Sequence, residues 1–215
     1  MAGCPTRSIS GAPFVRGLIA HGWGPVLPMR YDGPKPDPLL MPSRLKRFQT
    51  EGHNHFLTFS CYQRLPYLTD DHSRTVFLQT LEKLRSRHDF QVFAYVLMPE
   101  HVHLLLSEPK RRSLATTLSV LKGETSRRLK GPRLQFWQSR YYDFNVFTHA
   151  KFVEKLRYIH RNPVTRGLVE KPEDYVWSSF RHWATGETTL VEIESHWTFT
   201  HRERAGIPPI AIQPR

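Results

Sequence analysis

Gln91-Val-Phe-Ala-Tyr-Val-Leu97, Met98-Pro-Glu100 and His101-Val-His-Leu-Leu-Leu-Ser107 follow one another without a break. The two flanking runs are rich in aliphatic, β-branched and aromatic side chains, and the short piece between them contains a proline. They read as two strands joined by a turn. Upstream, His55-Phe-Leu-Thr-Phe-Ser-Cys-Tyr62 has the same texture and is a first strand. Thr69 or Asp70 can cap a helix that runs to about His88, with Phe77, Leu81, Leu84 and His88 on one face. Downstream, Ser113 caps a second helix that carries Leu114, Leu118 and Leu121 towards Lys130, and Tyr142–Phe147 is a fourth strand. Thr148 then caps a third helix expected to stop at Asn162, because the residue before Pro163 is pushed out of the α region. Strand–helix–strand–strand–helix–strand is the split pattern of an α+β, ferredoxin-like domain. One antiparallel sheet with helices packed on one face suits it.

The rest of the chain differs in composition. Residues 1–42 hold eight of the 17 prolines and six of the 12 glycines with no helical or strand period, so they are expected to form a poorly ordered extension. Met41 is a candidate alternative start. The domain is expected over 43–183, followed by a polar tail over 184–215 that contains Pro208-Pro209. No run of 18 apolar residues is present, which leaves no spanning helix. The beginning of the chain lacks the pattern of a secretory signal. Cys4 and Cys61 are too few for a disulfide framework or a cysteine-rich zinc site, and a reduced, cytoplasmic protein is expected.

Charge points to a partner. Lys and Arg number 31 against 19 Asp and Glu, a net +12 with a pI near 10.0, which favours a polyanion and nucleic acid before membrane. Between residues 110 and 140, Lys110, Arg111, Arg112, Lys122, Arg127, Arg128, Lys130, Arg133 and Arg140 face a single acid, Glu124. Phe136 and Trp137 lie inside that run, and Arg44, Lys46 and Arg47 form a second cluster. Cations follow phosphates and rings stack bases, so this mixture suits single-stranded or hairpin nucleic acid. A solvated basic face with aromatics in the core is the plainer alternative.

Two further patterns could carry chemistry. His101 and His103 are two apart on a strand, so both imidazoles point to one face and can converge on a cation. Chance alone yields roughly 0.7 such triplets in a chain this rich in histidine, and His53-Asn54-His55 is indeed another. The rigid strand after His101 and the turn before it are what set the second triplet apart. On the third helix, Tyr158 and Asn162 share a face, with Glu154 a turn earlier and Phe152, Leu156 and Ile159 on the apolar side. They read either as a surface aromatic and a helix end, or as a phenol nucleophile beside an amide oxygen able to ligate a hard cation. The chain has no P-loop, dinucleotide-binding glycine pattern or nucleophile-elbow serine, so no nucleotide cofactor is expected.

Met98-Pro-Glu-His-Val-His-Leu-Leu-Leu106, Phe136-Trp-Gln138, Tyr158-Ile-His-Arg-Asn-Pro-Val164 with Gly167-Leu-Val169, and Trp177-Ser-Ser179 occur in that order. Together they resemble the REP-associated tyrosine transposases, members of the single-tyrosine HUH superfamily with an insertion-sequence-200-like domain. The likeness runs over about residues 43–183. It implies a metal-assisted DNA strand transferase acting on single-stranded, hairpin-forming palindromic repeats, as a monomer or a homodimer at the nucleoid. It assigns the HUH pair to His101 and His103, the nucleophile to Tyr158 and the third metal ligand to Asn162, with Glu100 or His55 as substitutes. The cation implied is Mg²⁺ or Mn²⁺. The basic run with Trp137, and Arg44, Lys46 and Arg47, would hold the DNA. A phenol ordinarily keeps its proton to about pH 10 and needs activation, for which His160 and Glu154 are candidate bases. A hairpin-binding protein without catalysis, a metal-dependent nuclease using water and a basic RNA-binding protein are the rival readings.

Overall fold

A computed structural model of the chain describes residues 53–133 and 135–206. Its order is β1 (Asn54–Ser60), α1 (Asp71–His88), β2 (Val92–Leu97), β3 (His101–Ser107), α2 (Leu114–Leu129), β4 (Tyr142–Val146), α3 (His149–Thr165), α4 (Phe180–Thr185) and α5 (His196–Arg204). The proline-rich residues 1–42 and the cluster Arg44, Lys46 and Arg47 lie outside the described residues.

The four strands form one antiparallel sheet in the order β2-β3-β1-β4. This is the ferredoxin-like α+β arrangement that the strand and helix order implies. Each main helix starts where a side chain can satisfy a free backbone N–H. Asp70 accepts from Ser73 N at 2.8 Å, Ser113 from Thr116 N at 3.2 Å and Thr148 from Lys151 N at 3.3 Å.

Alternation along the strands sorts the side chains onto two faces. Leu57, Leu104 and Leu106 point to one face and meet Leu81 and Leu84 of α1 and Leu118 and Leu121 of α2. Phe56, Thr58, His101 and His103 point to the other, and α3 lies across it, packed on β2 and β3. The expected one-sided layering therefore holds for the crossover helices α1 and α2, while α3 covers the opposite face. Its apolar stripe, with Leu156 and Ile159 buried, would fit either face, so periodicity could not place it.

Two boundaries depart from expectation. α3 continues through Pro163 to Thr165. The proline only loses an N–H that would have bonded Ile159, and the last turn closes through Arg166 N to Asn162 O at 3.0 Å. Gly167, at φ +68°, then takes the left-handed turn that ends it.

The second departure is the expected polar tail, whose described residues 184–206 pack on the domain. Val191 and Ile193 are buried, and Ile193 bridges Val92. Ser178 bridges Val96, and Trp183 Nε1 donates to Phe93 O at 2.8 Å. Residues 177–194 thus cover the outer edge of β2, which would otherwise offer unpaired backbone groups. Among the described residues no helix is long and apolar enough to cross a membrane.

Candidate active site

β3 begins at His101, and the register pairs His101 with Ser60 and His103 with Thr58. Both imidazoles are buried on the α3 face, with Nε2 of His101 3.0 Å from Nε2 of His103. The outer nitrogens are held. His101 Nδ1 donates to Glu100 Oε1 at 3.1 Å, since a carboxylate can only accept. That oxygen also accepts from Arg166 at 2.8 Å. Thr58 Oγ1 lies 2.7 Å from His103 Nδ1, and Phe56 stacks on the His103 ring. Burial pushes the His103 imidazole down to about 3, helped by His101 and Arg64, and burial likewise lowers His101. Both rings are therefore neutral near pH 7 and can offer lone pairs.

The α3 side completes the pocket. Tyr158 and Asn162 do share a face, as the four-residue spacing requires. Asn162 is buried, with Nδ2 3.3 Å from His103 Nε2 and no hydrogen bond to Oδ1. The Tyr158 ring stands edge-on to His103 at 5.2 Å and to Phe56 at 5.7 Å, and it is half-exposed. The nucleophile candidate thus borders the histidine pair on the solvent side.

These residues fit a divalent cation. If His103 donates Nδ1–H to Thr58, as His101 does to Glu100, the two lone pairs meet at one point. That is repulsive unless a cation lies between them. Ligand bonds of about 2.1 Å at right angles need nitrogens about 3.0 Å apart, close to the spacing found. Turning the Asn162 amide by half a turn exchanges Oδ1 with Nδ2, which stands 3.3 Å from His103 Nε2. Among the described residues no group of three His, Cys, Asp or Glu is placed to hold a metal ion, and the Asn162 amide is a further oxygen donor beside the histidine pair. His55 is not a substitute. Its side chain points to the α1–α2 face, where Nδ1 pairs with Asp143 at 2.8 Å. Glu100 works on the outer nitrogen of His101 rather than on the paired Nε2 atoms, the usual carboxylate support for a ligating histidine.

Neither candidate base stands up. His160 is fully buried against Ser179 Oγ at 2.9 Å and pushed down to about 3 by burial. Glu154 is tied to Lys151 and Lys155 at 2.7 and 2.9 Å, and those bonds hold it below the ordinary carboxylate range.

The basic run divides. Lys110, Arg111 and Arg112 follow β3 at its Ser107 end, with backbone bonds to Asp89 and His88. That is about 20 Å along the strand from His101. Lys122 gives its ammonium to Gln138 O and Ser139 O (3.1 Å to the latter), and burial lowers its pKa, so it is a brace. Trp137 is no base-stacking residue: its ring is buried between Phe59 and Phe77, and Nε1 donates to Thr125 Oγ1 at 3.0 Å. Arg127, Arg128, Arg133 and Arg140 are exposed and Lys130 is half-buried. The backbone just before Arg140 reaches the His101 end, where Gln138 N bonds Ser60 O at 2.9 Å.

Cations nearer Tyr158 went unnoticed in the sequence. Lys151, Lys155, Arg157, Arg161 and Arg166 belong to α3 or its end, against the single acid Glu154. The same local imbalance that singled out residues 110–140 would have found them.

The family model described as "Transposase IS200 like" matches residues 49–162. A candidate REP-associated tyrosine transposase of Haemophilus influenzae is 30% identical over 154 residues, 64% of this chain and 85% of the relative. A REP-associated tyrosine transposase of Escherichia coli is 22% identical over 147 residues, 64% of this chain and 82% of the relative. A solved REP-associated tyrosine transposase bound to a REP hairpin aligns at a TM-score of 0.58 and 20% identity, over 80% of this chain and 98% of that one. That structure shares the fold. The family match spans more than half of the chain and contains His101, His103, Tyr158 and Asn162; the chain belongs to the IS200-like transposase family, among its tyrosine transposases.

Proposed function

We propose that this transposase cleaves and rejoins single-stranded DNA beside hairpin-forming palindromic repeats, through a covalent 5′-phosphotyrosine at Tyr158. One observation carries the reading: a half-exposed phenol borders two neutral, buried imidazoles whose Nε2 atoms lie 3.0 Å apart.

Tyr158 Oη attacks the scissile phosphorus, a P–O bond to Tyr158 forms and the P–O3′ bond breaks. The phenol proton is lost and the leaving 3′-oxygen becomes a hydroxyl. In the reverse step a 3′-hydroxyl attacks the phosphotyrosine and restores the phenol, so the phosphodiester bond is conserved and no nucleotide cofactor is required. His101, His103 and Asn162 would hold a Mg²⁺ or Mn²⁺ ion, which when bound supplies charge stabilisation at the phosphate oxygens. Glu100 and Thr58 fix the two imidazole rings, and Arg166 fixes Glu100. Arg161, one turn after Tyr158, offers positive charge to the approaching phosphate, and Lys155, one turn before it, shares its charge with Glu154.

Arg127, Arg128, Lys130, Arg133 and Arg140 would grip the duplex stem, with the α3 cations on the unpaired strand. The hairpin in the solved relative supports that partner. Residues 43–183 would act as the DNA-processing unit, and a protein with these tasks works where chromosomal DNA lies.

The test is incubation with a labelled single-stranded hairpin from the repeats beside its own gene, with Mn²⁺ added. A denaturing gel is expected to show a protein–DNA adduct that is lost in Tyr158→Phe and in His101→Ala/His103→Ala. Binding without cleavage, or cleavage that survives Tyr158→Phe, would contradict the proposal.

A further inference from the structure

Tyr142 opens β4 opposite Thr58, so its side chain stands on the same sheet face as Phe56 and His103. It is 48% exposed, close to the 49% of Tyr158. Phe56, itself buried, lies between the two phenols. Its ring meets Tyr142 edge-on at 6.4 Å and Tyr158 edge-on at 5.7 Å. Lys155 Nζ sits 5.3 Å from the Phe56 ring and 4.9 Å from that of Phe144, two residues along β4 on the same face. The nucleophile thus borders a strip of aromatic surface, open to water at Tyr142 and flanked by a cation. None of the chemistry above uses Tyr142.

Phe56 covers part of the Tyr142 ring, and about half of the residue stays open to water beside the nucleophile. Its position limits what can cover the rest. A strand whose phosphate reaches Tyr158 Oη must run its neighbouring nucleotides over the adjacent sheet surface. There, Lys155, whose ammonium also pairs with Glu154 at 2.9 Å, lies beside the path of the backbone, and an open phenol ring matches the flat face of a base. We propose that Tyr142 is the platform on which an unpaired base flanking the scissile phosphate stacks, backed by Phe56. The proposal rests on the strand-transfer reading and deepens it. Every base has a π-face, so this contact sets grip and register rather than base identity. Stacking needs the ring and not the hydroxyl, so phenylalanine serves in place of tyrosine.

The full chain carrying Tyr158→Phe, which leaves the strand uncut, is titrated with hairpins that bear 2-aminopurine at each unpaired position beside the cleavage point. At one position fluorescence is quenched on binding. Adding Tyr142→Ala, or Tyr142→Leu to keep apolar bulk on the edge strand, abolishes that quench. It also weakens binding of the unpaired flank by roughly 5- to 100-fold. Tyr142→Phe keeps both. Quenching that persists in Tyr142→Ala and Tyr142→Leu overturns the platform. So does absence of quenching at every position while the protein with Tyr158 intact binds and cleaves the same hairpins. A hairpin that this protein neither binds nor cleaves overturns the platform together with the strand-transfer reading beneath it.

Discussion

On one face of the sheet Leu57, Leu104 and Leu106 close against a layer of leucines from α1 and α2; on the other, the same strands present Thr58, His101 and His103 to α3. Side chains adjacent in sequence thus belong to opposite environments, because the strand period of two sends each to the other face. The leucine face is held mainly by volume and apolarity, with the buried His55–Asp143 pair at 2.8 Å as a polar contact. The α3 face stays partly open and keeps buried polar atoms in fixed positions, including an unpaired Asn162 Oδ1. One element, β3, serves both: Leu104 anchors the strand whose rigidity aims the histidines.

If the two faces are separable, substitutions on them should fail in different assays. Tyr158→Phe removes one exposed hydroxyl and is expected to cut adduct formation by roughly 10³-fold or more. Its thermal unfolding should stay within about 0.5 kcal/mol of the parent. Leu104→Ala should do the reverse, losing about 2–5 kcal/mol of stability. It should still form adduct at low temperature while folded. Calorimetry and the denaturing gel on both variants check this, and a stable but inactive Leu104→Ala would break the separation.

Glu100→Gln probes how far the ordered polar face depends on its support. The isosteric amide no longer enforces Nδ1–H on His101 and loses the charge paired with Arg166. Mn²⁺ affinity, read by calorimetric titration, should fall roughly 10- to 100-fold with the melting temperature little changed.

Acid should loosen both faces. His88, His160 and His182 are buried and held below the ordinary imidazole value of 6.5, burial being the main cause in each, and His160 falls to about 3. The unfolded chain protonates them first, so the stability gained by keeping them neutral is whole above about pH 7. It is lost progressively as pH drops from 6.5 towards the depressed values. The melting temperature should be flat between about pH 7 and 8 and fall by roughly 5 °C or more by pH 5.5.

The smallest effect should come from the Ser107 end of β3. Neutralising Lys110, Arg111 and Arg112 together is expected to change hairpin affinity less than about threefold, whereas neutralising Arg127 and Arg128 should flatten the salt slope by nearly two. Titration at several salt concentrations separates the pairs of outcomes, and a large loss from the Lys110 set would return that end of the sheet to the interface.

The sheet was legible because its signals are local. The proline turn at 98–100 and the apolar run after it mark β3 at His101–Ser107, and Ser113 and Thr148 announce their helices. The shared face of Tyr158 and Asn162 followed from helical spacing, and their meeting with His103 came only with the family likeness. What stayed hidden depends on the third dimension. Periodicity shows that α3 has a buried stripe but not which sheet face receives it. A tryptophan within a basic run looks the same in sequence whether it stacks bases or, like Trp137, fills the core. Lys122 likewise counts as a cation until its carbonyl partners, 16 and 17 residues away, are known. In the supposed tail, Val191 and Ile193 alternate with Glu192 and Glu194, a strand-like signal too short to outweigh its polar surroundings.

Strand transfer by this chain requires Tyr158 to take the 5′ phosphate. The most direct test is to trim the adduct with nuclease, digest it with trypsin and weigh the peptides. One nucleotide-bearing peptide is expected, Tyr158-Ile-His-Arg161, with the mass on Tyr158. A cleaved strand with no modified peptide, or the mass on another tyrosine such as Tyr142, would contradict it.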